Sequence, residues 1–105
     1  MNAIPQNEIE KFVNEVVHKF DPHRVILFGS RASSSAPESS DYDVFVILKN
    51  PYDWRKKNRV YDATYEVDLK YDILTDIKLI ARGELETLKG KQPYIRQALE
   101  NGIDL

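Results

Sequence analysis

Two aspartates, Asp41 and Asp43, stand one residue apart at the mouth of the apolar run "DVFVIL", and a Gly29-Ser30 pair closes an earlier apolar run, "RVILF". Alternate residues of a strand project from one face, so both carboxylates could reach a common cation. Without a cation between them they would repel each other. Magnesium suits such a pair, because it binds through one or two carboxylates and completes its shell with waters and substrate phosphate oxygens. Gly29 and Ser30 suit an anion instead. Glycine lets the backbone turn and approach a ligand closely, and Ser30 offers a hydroxyl beside amide N–H groups at a helix start. Taken singly, a Gly-Ser after a strand is an ordinary turn, and an Asp-x-Asp at a strand start is an ordinary solvated entry. It is their conjunction, behind an amphipathic helix and a strand, that points to a nucleotide phosphate held beside a metal. Neither the P-loop string nor G-x-G-x-x-G occurs, which excludes the two commonest alternatives for phosphate binding.

The elements that must position these residues follow from periodicity. In "NEIEKFVNEVVHKF", Ile9, Phe12, Val13, Val16, Val17 and Phe20 fall at helical spacing, with Asn7 and Glu10 as a capping pair. Asp21-Pro22 ends that helix, since a residue before proline avoids the helical region. "RVILF" follows as a buried strand. Ser30 would cap a second helix that frays into a loop across "SSSAPESS". "DVFVIL" is almost wholly apolar, as a strand covered on both faces should be. Asn50 and Pro51 mark the start of a helix through "WRKKNRVYDATYEVDL". "YDILTDIKLIA" is a third strand, and "QPYIRQALENG" is a closing helix with Pro93 near its start and Gly102 past its end. This alternation predicts one α/β (α+β) domain over residues 1–105, a small mixed sheet of about three strands flanked by helices. The second and third strands should be parallel through a helical crossover.

Composition narrows the function. The chain has 105 residues, with 15 Lys plus Arg against 17 Asp plus Glu. There is no basic excess to neutralise a nucleic-acid backbone, so direct nucleic-acid binding is not expected. The lack of cysteine removes thiol nucleophiles and thiolate metal sites, leaving oxygen ligands for a hard cation. His18 and His23 have no partners at ligand spacing. No apolar run approaches the roughly 20 residues that span a bilayer, and the N-terminus lacks the features of a signal peptide, so a cytoplasmic protein is expected.

The complete pattern Gly29, Ser30, ten residues, Asp41, Asp43, together with "FGSRA", "SDYDV" and the "ALENGIDL" tail, resembles the minimal nucleotidyltransferases of the DNA polymerase beta superfamily. The likeness covers nearly the whole chain. It departs from the common "GSRARG" at Ser33 and Ser34, where the turn-closing glycine is missing. The resemblance implies a polymerase-beta-like fold, Mg2+ as cofactor and ATP as substrate. Asp41 and Asp43 would hold the metal, while Gly29 and Ser30 bind the triphosphate. Arg31 is either a further phosphate contact or a surface side chain. It also implies a third carboxylate on the next strand, both metal ligand and general base. Asp72 and Asp76 compete for that role. Five residues remain in the second strand after Asp43 and five in the third after Asp76, which favours Asp76; Asp72 would lie about 13 Å back along the strand at ~3.3 Å per residue. Asp68 reads as the polar end of the preceding helix.

Relatives of this kind are commonly antitoxins to a helical HEPN-domain toxin, some by moving AMP onto a tyrosine of it. The expected partner is therefore such a toxin, docking where the serine loop and "NPYDWRKK" would flank the aspartates, with Arg55, Lys56 and Lys57 in contact. A small-molecule nucleotidyltransferase, an antitoxin acting by binding alone and a nucleotide sensor are the alternatives. Trp54, Tyr52, Tyr61 and Tyr65 are expected to pack the third helix; exposed, they would instead mark a partner surface.

Overall fold

The computed structural model describes residues 5–32, 41–87 and 91–105. The serine loop, with Ser33 and Ser34, lies outside them. The first amphipathic pattern forms α1 (Gln6–His18), burying Ile9, Val13 and Val17. Its N-cap is Pro5 with no side-chain cap, so Asn7 sits inside the helix and the expected capping pair is absent. After it come β1 (Pro22–Phe28), a 3-10 turn (Gly29–Ala32) in place of the expected short helix, and β2 (Tyr42–Leu48). Then follow α2 (Trp54–Tyr71), β3 (Thr75–Ala81), a second 3-10 turn (Arg82–Glu84), α3 (Pro93–Asn101) and β4 (Ile103–Asp104). The cap of α2 is Asp53 and not Asn50. The Asp53 carboxylate accepts from the backbone N–H groups of Arg55 and Lys56, both at 3.1 Å, which satisfies two donors that the helix start would otherwise leave open.

The sheet is mixed, in the order β3-β2-β1-β4. β2 runs antiparallel to β1 and parallel to β3, and β4 closes antiparallel on the outer side of β1. The fourth strand was not foreseen. It is two residues long, too short for any periodicity, and is held by the Leu105 N–H donating to the Val25 carbonyl (2.9 Å) and by Arg24 paired with Asp104 (3.0 Å).

The alternation of side chains along the strands divides the core in two. Val25, Leu27, Val44, Val46 and Leu48 face α1 and α2, whereas Ile26, Phe28, Phe45 and Ile47 face α3. Every residue of β2 is buried except Asp43, which is half-buried. A carboxylate in an otherwise sealed central strand has no packing reason to be there.

This topology brings the C-terminal end of β1 together with the N-terminal ends of β2 and β3. The "NPYDWRKK" segment leaves the opposite end of β2, about 17 Å from Asp43 at ~3.3 Å per residue. It therefore does not flank the aspartates, because a parallel crossover must start where the first strand ends. The aromatic expectation fails too. Tyr52 is half-buried and donates to the Leu79 carbonyl (2.8 Å), but Trp54, Tyr61 and Tyr65 are exposed, since Val60, Thr64 and Val67 already fill the inner face of α2.

Candidate active site

In the strand register Phe28 lies opposite Asp43, and Asp43 opposite Asp76. Residues directly opposite on neighbouring strands share a face about 4.8 Å apart. The carboxylates of Asp43 and Asp76 thus stand side by side on the α3 side of the sheet. The Tyr42 N–H donates to the Leu74 carbonyl (2.8 Å), which ties the approach to β3 against the start of β2. Asp41 is exposed immediately before β2. The Asp43 carboxyl is pushed above the usual carboxylate range, first by burial and then by the charges of Asp76 and Asp41, with Lys78 pulling the other way. The charges of Asp76 and Asp41 thus both reach Asp43. Lys78, one step along the same face of β3, places its ammonium 3.4 Å from Asp76.

Gly29 brings the Gly-Ser turn up to these acids. It adopts φ +73, a left-handed conformation that side chains disfavour, and a Cβ at this position would run into Asp43 Oδ2 and lie 3.3 Å from Asp43 Cγ. The Asp43 carboxylate thus occupies the space that a side chain at position 29 would need. Beside them a cavity of about 230 Å³ is lined by Phe28, Gly29, Ala32, Gln97 and Asn101. A larger cleft, about 750 Å³, is lined by residues 49–52 and 81–84 at the far end of β2 and β3, remote from the acids.

Other candidates are placed elsewhere. Asp72 is not on β3: α2 runs to Tyr71 and the strand begins at Thr75, so Asp72 ends the helix in a left-handed conformation (φ 52), its N–H donating to the Asp68 carbonyl. Arg31 stacks over Tyr42 at 4.3 Å and exchanges hydrogen bonds with Gln6, whose Nε2 donates to the Arg31 carbonyl at 2.8 Å. Tyr42 belongs to the α1 side of the sheet, so these contacts hold the Gly-Ser turn from the face opposite Asp43. His18 and His23 are exposed.

Sequence reasoning missed Lys78, Gln97 and Asn101. Lys78 was readable from its even spacing from Asp76, but the two α3 residues reach the site only through tertiary packing. It also underrated Asp68. That carboxylate accepts from the Thr75 N–H (3.1 Å) and hydroxyl (2.8 Å), pinning the first residue of β3 to the last turns of α2. Burial pushes its carboxyl up, the two bonds from Thr75 pull it down, and the charge of Asp41 pushes it up again. A carboxyl raised by folding contributes stability that is present below its unfolded value and lost as pH rises through the folded one. Asp68→Asn, which keeps an accepting oxygen without the charge, should therefore be at least as stable as the wild type at pH 7. Asp68→Ala, which strands the Thr75 donors, should lose about 1–3 kcal/mol in urea unfolding.

A divalent cation would be held by Asp43 and Asp76, with Asp41 at the mouth. The donor set fits: all are hard oxygens, and their mutual repulsion is what a cation relieves. Among the described residues no three ligating side chains enclose a metal. Magnesium needs no such cage when waters and phosphate oxygens fill its shell.

The mixed sheet with its paired acids at the Gly-Ser turn is that of a nucleotidyltransferase: residues 8–103 match the family model "Polymerase beta, Nucleotidyltransferase", and the chain belongs to that family. Among individual relatives, it is 41% identical over 51 residues to a Methanocaldococcus jannaschii protein assigned as a protein adenylyltransferase. That alignment covers 49% of this chain and 52% of the relative, so it spans about half the length of the curated protein it matches. In fold it is similar to a crystal structure of an MntA-HpeT toxin-antitoxin mutant, with a TM-score of 0.57 and 17% identity over 96% of this chain and 72% of that one. No helix among the described residues is long and apolar enough to cross a membrane.

Proposed function

We propose that the protein is a magnesium-dependent nucleotidyltransferase of the cytoplasm that moves AMP from ATP to a hydroxyl of a partner protein, a HEPN-domain toxin, and so acts as its antitoxin. The observation that carries this reading is the side-by-side pair Asp43 and Asp76, with the Asp43 carboxylate set against Gly29. The name of the M. jannaschii relative supports the choice of AMP and of a protein acceptor, and the MntA-HpeT likeness supports a toxin partner.

On this reading the amides and hydroxyl at Gly29 and Ser30 orient the triphosphate, with Arg31 bracing their turn against Tyr42. Asp41, Asp43 and Asp76 would hold magnesium, whose charge would offset that of the phosphate oxygens. The acceptor oxygen attacks the α-phosphorus in line with the bond to pyrophosphate, which departs with the bonding electron pair. The acceptor proton passes to the Asp76 carboxylate. Lys78 sits beside that carboxylate, its ammonium 3.4 Å away.

The test is to incubate the chain with ATP, magnesium and a HEPN-domain toxin, following pyrophosphate release and the mass of the toxin. A gain of one AMP on a hydroxyl side chain supports the proposal. A toxin neutralised without any gain in mass makes the protein an antitoxin by binding alone, and transfer to a small molecule in place of the protein makes it an enzyme of a different substrate. Gly29→Ala should lower transfer at least tenfold, because the added methyl displaces Asp43 and a misplaced reacting group is costly. Asp43 is a side chain that can move aside, but an alanine at φ +73 costs about 1–2 kcal/mol, so the melting temperature should fall by roughly 5–15 °C.

A further inference from the structure

Six large apolar side chains are exposed among the described residues, and four of them, Trp54, Tyr61, Tyr65 and Leu69, lie on α2. Trp54, Tyr65 and Leu69 are each at least 60% exposed. At 3.6 residues per turn these four and Asn58 fall within an arc of roughly 80°, a continuous stripe about 22 Å long. Contiguous apolar surface of this kind marks an interaction site. It is also separate from the face that builds the core, which is formed by Val60, Thr64 and Val67.

The charges beside the stripe indicate what covers it. Along one edge the first half of α2 presents Arg55 and Arg59, and the second half presents Asp62 and Glu66, all exposed. A partner with one sign of charge would be repelled by half of this edge. A second α2 running the other way matches both halves, because in an antiparallel helix pair the equivalent edges meet and a two-fold axis exchanges them. A single register satisfies the whole surface. With the axis near Tyr61, the Tyr61 rings of the two copies meet, Tyr65 faces Asn58, Trp54 faces Leu69, Arg55 faces Glu66 and Arg59 faces Asp62. Arg55 already lies over the Trp54 ring at 5.2 Å, which leaves its charge at the edge of the stripe.

We propose that α2 is a self-association surface, through which two copies of the chain pair antiparallel about a two-fold axis at Tyr61. The stripe is too short to bury the ~800 Å² per partner of a standard interface, so the dimer should form in the range of about 10–500 μM.

Sedimentation velocity over that range, with circular dichroism to confirm the fold of each variant, tests the proposal. The wild type should pass from monomer to dimer, and Tyr61→Lys, which sets two like charges together on the axis, should raise the dimer dissociation constant at least tenfold. Arg55→Glu with Arg59→Glu makes the edge wholly acidic, and Asp62→Arg with Glu66→Arg makes it wholly basic. Each double variant should stay monomeric alone, and the two mixed should form a heterodimer at least as tight as the wild-type dimer. A wild type that remains monomeric throughout, reversed-charge variants that dimerise like the wild type, or a mixture that fails to associate would each overturn the antiparallel pairing, and the stripe would then belong to a different protein.

Discussion

Asp43→Asn is expected to reduce nucleotidyl transfer by a factor of about 10² to 10³, the usual loss when a group that manages charge at the reacting centre is removed. The side chain keeps its shape, so the substitution isolates charge. Asp43 is the one residue of β2 that is not buried, and it lies between the Gly29 backbone and Asp76. Losing its charge would remove a proposed metal ligand without opening a cavity. The fold should not suffer, because burial and the charges of Asp76 and Asp41 disfavour the ionised form of this group in the metal-free protein. A thermal midpoint unchanged or raised by ~2 °C in chelator at pH 7 is expected. Pyrophosphate release and circular dichroism on one sample separate the two effects. Undiminished transfer would remove Asp43 from the site, and a large loss of stability would assign it a structural role.

The second large effect concerns a glycine with an ordinary backbone. Gly102 ends α3 and donates its N–H to the Ala98 carbonyl at 2.9 Å. A Cβ there would run into Ile26 Cγ2 and the Ala98 carbonyl oxygen, and would stand 3.0 Å from the Leu27 carbonyl oxygen. Ile26 is fully buried in β1, and neither carbonyl can turn away without losing its place in the helix or the sheet. Gly102→Ala should therefore cost about 2–3 kcal/mol, typical of overpacking, and lower the melting temperature by roughly 10 °C or more. Gly83→Ala is the control. Nothing lies within 4 Å of a Cβ at Gly83, so its melting temperature should barely change.

Much of the fold was legible because its signals are periodic. Ile9, Val13 and Val17 specified the inner face of α1, and the apolar run after Asp43 specified a strand covered on both faces. The pairing of Asp43 with Asp76 followed from counting residues to the ends of two parallel strands. Boundaries were harder. "YDILTD" carries enough apolar residues to look like strand, and it is the hydrogen bond that the Thr75 N–H donates to Asp68, with the pairing of Thr75 to Tyr42, that marks where the strand begins. The start of α2 was misplaced relative to the acids, although the direction of a parallel crossover already sets it at the other end. Gln97 and Asn101 were invisible, since their place beside Gly29 depends on how α3 docks across the sheet. The exposure of Trp54 and Tyr65 was likewise hidden, because an aromatic residue on an amphipathic helix carries no mark of which face the core will take.

The strand order has a consequence for the time course of folding. β1 and β2 are joined through residues 29–41 and β2 and β3 through one helix, whereas β4 returns to β1 from the far end of the chain. Closing a longer loop costs more conformational entropy, and a two-residue strand with exposed side chains repays little of it. The three strands that carry Gly29, Asp43 and Asp76 can therefore assemble as one cooperative unit before β4 docks, and β4 is the first to fray once the whole has formed. The candidate site is therefore expected in the slower-exchanging part of the molecule, and excursions of β4 should leave the two acids in register.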